Sequence, residues 1–200
     1  QNFFEGGFVG VDIFFVISGF LITNFIVRSI NDNNFTFFDF YSRRIRRIFP
    51  ALGLVLLFSV IIGWIILLPD EFKSLGKHIM GGVGFISNIV SLLEIGYFDP
   101  SAHFKPLLHL WSLGIEEQFY IIWPFIIYSC SKKPNQLFRL ISIIFMLSII
   151  LYFILSISAP EFVFYFPLTR FWELMLGSIL AVGSFSFKQS KLPGIFSKKV

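Results

Sequence analysis

The stretch from Leu107 to Ser129, LLHLWSLGIEEQFYIIWPFIIYS, is apolar and long enough to cross a bilayer, yet it holds one histidine and two glutamates. A helix of about 20 residues spans the hydrocarbon, and an ionisable group inside one is costly enough to mark a functional site by default. At about 3.6 residues per turn, His109, Ser112, Glu116 and Tyr120 recur at spacings of three or four and form one polar stripe suited to acid–base work. Glu117 lies about 100° round the helix from Glu116 and is expected at the bundle edge. A plainer reading places His109 and Glu117 at the interface by snorkelling and leaves only Glu116 deep.

Two further charged features need positions. GFVGVDIFFVISGFLITNFIV carries Asp12 about one turn inside one end of an apolar run, where a carboxylate needs a partner or water. Ser18 and Gly19 in the same run are small enough for another helix to pack closely. Downstream, Arg43, Arg44, Arg46 and Arg47 fall within five residues and are followed by Pro50. Such a cluster fixes orientation; alternatively, guanidinium forks hold phosphates bidentately and would suit the pyrophosphate and 3′-phosphate of coenzyme A. Thr36 and Asp39 resemble a capping box opening a short aromatic helix in the inner interface.

The elements that must position these groups are membrane helices. Hydrophobic residues make up 56% of the chain, charged residues only 14%, and the mean hydropathy is +0.79, against about 25% charged in a soluble domain. The net charge of +4 clusters in loops, so it speaks for topology and anionic lipid, not for nucleic acid. A single cysteine, Cys130, excludes an intrachain disulfide and offers no metal set. The chain starts at Gln1 without a basic leader, so no signal peptide is expected and the chain is read as part of a longer protein.

Candidate spans are Phe8 to Val27, Ile48 to Leu68, Ile79 to Ile95, Leu107 to Ser129, Leu140 to Ile157 and Phe171 to Phe187. If all six cross, with the arginine cluster inside, the 16 basic residues divide seven inside to nine outside, against the positive-inside rule. If Ile79 to Ile95 does not cross, only Lys73, Lys77, Lys105 and Arg170 lie outside and the other twelve lie inside. That segment carries three glycines, two serines, Asn88 and Glu94, and broken backbone at membrane depth requires protein or a water-filled cavity around it. The expected fold is therefore all-α: a polytopic bundle of about five spanning helices plus one outward-facing re-entrant or half-helix segment.

GGFVGVDIFFVISGFLIT, FYSRRIRRIFPAL, LLPDEF, GYFDP and LLHLWSLGIEEQFYIIWP occur in an order and spacing that resemble the acyltransferase 3 family, and the resemblance covers nearly all of residues 1–200. It implies a partial acyltransferase 3 membrane domain in the bacterial inner membrane. The implied reaction moves an acyl group, commonly acetyl, from cytoplasmic acyl-CoA to a hydroxyl of an extracytoplasmic glycan or glycolipid, such as O-antigen or peptidoglycan. The family's Arg-x-x-Arg motif falls on Arg44 and Arg47, with Arg43 and Arg46 beside them as donor-binding candidates. Its Trp-Ser-Leu-x-x-Glu element falls on Trp111, Ser112, Leu113 and Glu116, which singles out Glu116 over Glu117. Glu116, Ser112, Tyr120 and His109 are the catalytic candidates, and Asp12 and Trp111 are candidates for the substrate cavity.

Family members carry a basic residue and a histidine on the helix before the Gly-Gly-Phe-Val-Gly-Val-Asp segment, and that histidine is the favoured base. The resemblance therefore places the main catalytic base upstream of Gln1, and none of His78, His103 or His109 matches it. Further helices are expected after Phe187. Intramembrane carboxylates, a broken helix and an interfacial arginine cluster would equally suit a glycolipid or small-molecule transporter, which needs no acyl-CoA.

The count of basic residues predicts that Cys130, beside Lys132 and Lys133, faces the cytoplasm. A membrane-impermeant thiol reagent should leave it unlabelled in intact cells and label it once the membrane is opened; labelling of intact cells would overturn that topology.

Overall fold

The computed structural model describes residues 7–95, 106–131 and 133–190, and every regular element among them is an α-helix. The long helices are α1 (Gly7–Asn31), α2 (Phe37–Ile66), α5 (Leu110–Cys130), α6 (Pro134–Ser158) and α8 (Pro167–Ser190). The shorter ones are α3 (Pro69–Val83), α4 (Ser87–Leu93) and α7 (Pro160–Tyr165). By length and apolarity α1, α2 and α6 qualify as membrane spans. Helices α5 and α8 have the length of a span, at 21 and 24 residues, but hold ionisable side chains that turn inward, as charges in a bilayer must.

Lipid and core are arranged accordingly. Helix α2 exposes Leu54, Leu57, Phe58, Ile61, Trp64 and Ile65, whereas ten of the 21 residues of α5 are buried, both glutamates among them. The motif LLPDEF opens α3: Pro69 occupies its first turn, where a missing N–H costs nothing, and Glu71 accepts from the Leu68 amide at 3.0 Å.

Helix α2 differs from the expected pair of elements. Thr36 does cap it, accepting from the Asp39 amide at 3.2 Å and donating to the Asp39 carboxylate at 2.6 Å. The helix it opens is not short, however, and runs without a break through Pro50 to Ile66. Its first half lies along α5, with Phe37 stacked on Phe125 at 4.6 Å and the Tyr41 hydroxyl donating to the Ile121 carbonyl at 2.8 Å.

Contacts between helices fix their relative directions. From α1 to α5, Phe15 meets Trp111, Ser18 meets Glu116, and Thr23 accepts from the Trp123 indole at 2.7 Å. From α1 to α8, Asp12 meets Arg170, Gly19 meets Leu174, and Thr23 meets Ser178 at 2.8 Å. Helices α1, α5 and α8 are therefore parallel, and α2, which runs antiparallel to α5, returns between them. The segment after α2 must then bring the chain back to the side it left, as a re-entrant element does. It is broken accordingly: α3 stops at Val83, Phe85 takes a left-handed φ of 55°, and α4 adds seven residues, about 10 Å of helix and too little to span. The strained Phe85 is held by its carbonyl, which accepts from Gln118 at 2.9 Å.

The closest helix packing is between α1 and α8. A Cβ on Gly19 would lie 2.0 Å from the Leu174 carbonyl oxygen, and one on Gly177 would lie 2.0 Å from that of Val16. Lipid tails are as apolar as leucine, so close backbone approach and dispersion hold such helices together. Gly177→Ala should lower the stability of the detergent-solubilised protein by about 1–3 kcal/mol, read as a drop in thermal midpoint. Gly183→Ala, whose new methyl meets open space, should leave it unchanged.

Candidate functional site

Three groups of polar side chains lie at different levels along α1. At the middle level, the Ser18 and Tyr120 hydroxyls both donate to Oε1 of Glu116 and also touch each other. Glu116 and Tyr120 share a face of α5 because they are four residues apart. Ser18 reaches them because α1 runs parallel alongside. All three are buried, Glu116 at 7% exposure. Above the Tyr120 ring lies the guanidinium of Arg44, its Cζ 3.9 Å from the ring centroid, a cation–π contact supplied by α2. Glu117 is as buried as Glu116 and interacts with the Arg44 charge, and its Oε1 has no hydrogen-bond partner among the described residues.

Toward the C-terminal end of α1, Arg44 also lines an open cavity of about 540 Å³. Arg28 and Asn24 come to this cavity from α1, Arg43 and Arg47 from α2, and Asp32 from the turn between them. Four guanidinium groups around one space create a strong positive potential, suited to a polyanion with several phosphates. Arg43 is held by its own helix, donating to the Asp39 carbonyl at 3.2 Å, with its guanidinium 5.1 Å from the Phe25 ring. A second cavity, beside Tyr128 and Asn33, has no charged lining residue among the described residues.

At the opposite level, Arg170 of α8 donates to Asp12 at 3.0 Å and to Glu173 at 2.8 Å. Glu173 is fully buried and its second oxygen has no partner among the described residues, whereas the Asp12 side chain is partly exposed. Arg170 also lies 5.0 Å from the Phe164 ring and 5.8 Å from that of Trp111. Trp111 packs edge-on to Phe15 at 6.2 Å, so an aromatic layer separates this ion cluster from Glu116.

Several expectations change on this geometry. The polar stripe of α5 splits: Glu116 and Tyr120 form the buried cluster, while His109 is exposed at the helix start and Ser112 donates to the His109 carbonyl at 3.2 Å. Glu117 is buried, not at the bundle edge, and the charge of Arg44 from α2 acts on it. Of the four clustered arginines, Arg43, Arg44 and Arg47 line the basic cavity, and Arg46 is exposed elsewhere. Arg170, counted with the outer loops, is a buried residue of α8 and is the partner that Asp12 required. Trp111 is part of the aromatic layer. GYFDP and His103 lie outside the described residues.

The sequence reading missed Arg28, Glu173 and the chemical use of Ser18. Arg28 had a signal in its position in the last turn of α1, and Arg170 and Glu173 had one in their three-residue spacing. The Ser18 bond had none, since it joins positions 98 residues apart. Outside these clusters, His78 bonds Glu94 at 3.0 Å between α3 and α4, and Gln118 bonds Asn88 at 2.8 Å, docking the broken segment on α5.

A model of the acyltransferase 3 family, described as an acyltransferase domain, matches residues 1–198. An uncharacterized protein of Haemophilus influenzae is 41% identical over 184 residues, covering 86% of this chain and 74% of its own. Peptidoglycan O-acetyltransferase OatA of Listeria monocytogenes is 36% identical over 184 residues, covering 88% of this chain. The chain spans only 29% of that relative's length. No solved structure matches. An all-helical bundle with apolar spans, an inward-facing carboxylate cluster and a match over almost its whole length place this chain in the acyltransferase 3 family, whose members are enzymes that transfer acyl groups.

Proposed function

We propose that the protein is an O-acetyltransferase of the bacterial inner membrane that takes an acetyl group from acetyl-CoA on the cytoplasmic side and delivers it to a glycan hydroxyl on the other. Peptidoglycan, named for the Listeria relative, is the first acceptor to test, ahead of O-antigen and other surface polysaccharides. The observation that carries this reading is the double role of Arg44. It lines the basic cavity and lies over Tyr120, whose hydroxyl bonds Glu116.

The cavity suits the pyrophosphate and 3′-phosphate of coenzyme A, with Arg28, Arg43, Arg44 and Arg47 as phosphate donors. The acyl end then points along α1 toward Glu116. Acyl transfer needs a group to take the acceptor proton and donors to stabilise the developing oxyanion. Among the described residues Glu116 suits the first need, and Tyr120, with Arg44 on its ring, the second. Asp12, Arg170 and Glu173 at the far level suit the hydroxyls of an incoming sugar. His109 and Ser112, away from the buried cluster, have no part in this reading.

Purified full-length protein should bind coenzyme A, and Arg44→Lys and Arg47→Lys should weaken binding about tenfold or more although both keep the charge, because Lys lacks the planar fork. Isothermal titration decides it. Absence of coenzyme A binding by the unaltered protein would favour a transporter.

Glu116→Gln should lower glycan acetylation by about 10²-fold or more at equal membrane abundance. Glu117→Gln should lower it much less, since its carboxylate bonds neither hydroxyl. Assay of both variants side by side checks the order, and a larger loss at Glu117 would reverse the assignment.

A further inference from the structure

We infer that Ser18 is a transient acyl carrier, a nucleophile on which the acyl group rests between donor and acceptor. The inference rests on the proposed acyl-CoA reading and adds a covalent step to it.

Ser148 of α6 and Ser178 of α8 also reach a neighbouring helix, at the Leu168 carbonyl and the Thr23 hydroxyl, but the hydroxyl of Ser18 bonds a carboxylate. Ser59, Ser129 and Ser142 each donate to the carbonyl four residues earlier in their own helix, at 2.8–2.9 Å. That is the ordinary way a serine hides in an apolar helix. Ser18 instead donates across to the carboxylate of Glu116 on α5 and touches the Tyr120 hydroxyl. A serine hydroxyl bonded to a buried base is the arrangement of an activated nucleophile. Packing alone does not require it: Gly19, the next residue, provides the close approach to α8.

Position supports the same role. Leu21 and Ile22, which line the basic cavity, are three and four residues from Ser18, so Ser18 lies about 4.5–6 Å along the helix axis from them. On its other side the Phe15–Trp111 layer separates it from the Asp12–Arg170–Glu173 cluster. A donor and an acceptor that enter from opposite sides need not meet if the acyl group pauses at this level.

The step balances. Glu116 takes the proton of Ser18 as Oγ bonds the thioester carbonyl carbon. The C–S bond then breaks, and the thiolate leaves with the proton returned by Glu116, giving a seryl ester and free coenzyme A. In the second half an acceptor hydroxyl gives its proton to Glu116 while its oxygen bonds the ester carbonyl. The C–Oγ bond breaks, and Ser18 recovers the proton. Tyr120 donates to the carbonyl oxygen in both halves.

The test is to incubate purified full-length protein in lipid nanodiscs with radiolabelled acetyl-CoA and no acceptor, then map the label by mass spectrometry. The expected result is one acetyl group on the peptide containing Ser18, discharged when acceptor glycan is added. Ser18→Ala should lose the label and more than about a hundredfold of glycan acetylation, with coenzyme A binding unchanged. Ser18→Cys should carry the acetyl as a thioester, released by neutral hydroxylamine that spares the serine ester, an outcome that a structural role for Ser18 does not give. Label on Tyr120 or elsewhere, or normal transfer by Ser18→Ala, would overturn the carrier while leaving the acetyl-CoA reading intact. Failure of the unaltered protein to bind coenzyme A would overturn both.

Discussion

A carboxylate at bilayer depth persists only where other polar groups meet it, and the interior of this protein is organised by that requirement at Glu116. Two hydroxyls converge on one of its oxygens, one from the same helix and one from α1, and the arginine above Tyr120 comes from α2. Three helices are thus tied at one point by groups that have no alternative partner in lipid. The same logic repeats at Arg170, which joins α8 to α1 through Asp12 and satisfies Glu173 on its own helix. Removing one partner from such a cluster leaves an uncompensated charge, and that cost keeps the arrangement specific.

Dispersion supplies what the polar clusters do not. Helices α1 and α8 approach until glycine faces backbone at Gly19 and Gly177, and the Thr23, Ser178 and Trp123 bonds close the contact below. This rigid pair carries the serine of the middle cluster and both carboxylates of the far one. Helix α2 is different in kind: it leans on α5 through aromatic side chains in its first half, packs on α3 in its second, and offers most of its surface outward. Three of the cavity's four arginines, Arg43, Arg44 and Arg47, stand on this outward-facing helix, and Arg28 comes from α1.

The two charged ends are unlike. One is an open cavity lined by four guanidinium groups and Asp32; the other is a compact cluster of one guanidinium and two carboxylates beside aromatic rings. Between them the Phe15–Trp111 layer and the buried cluster keep the bundle closed.

The sequence by itself determined a good deal. Composition and apolar runs specified an all-helical membrane bundle, because no other chain can hide its backbone in lipid at that hydropathy. The glycines and polar residues of Ile79 to Ile95 announced the broken segment, and the parallel run of α1 and α5 agrees with the count of basic residues that kept it from crossing. Helical period alone put Glu116 and Tyr120 on one face. The tertiary structure decided everything that depends on pairing between distant positions: that Ser18 bonds Glu116, that Asp12 is answered by Arg170, that Arg28 joins the arginine cavity while Arg46 does not, and that Glu117 is buried. Periodicity describes a helix about its own axis; which neighbour each face meets is set by how five long helices pack, and that is a property of the assembled bundle alone.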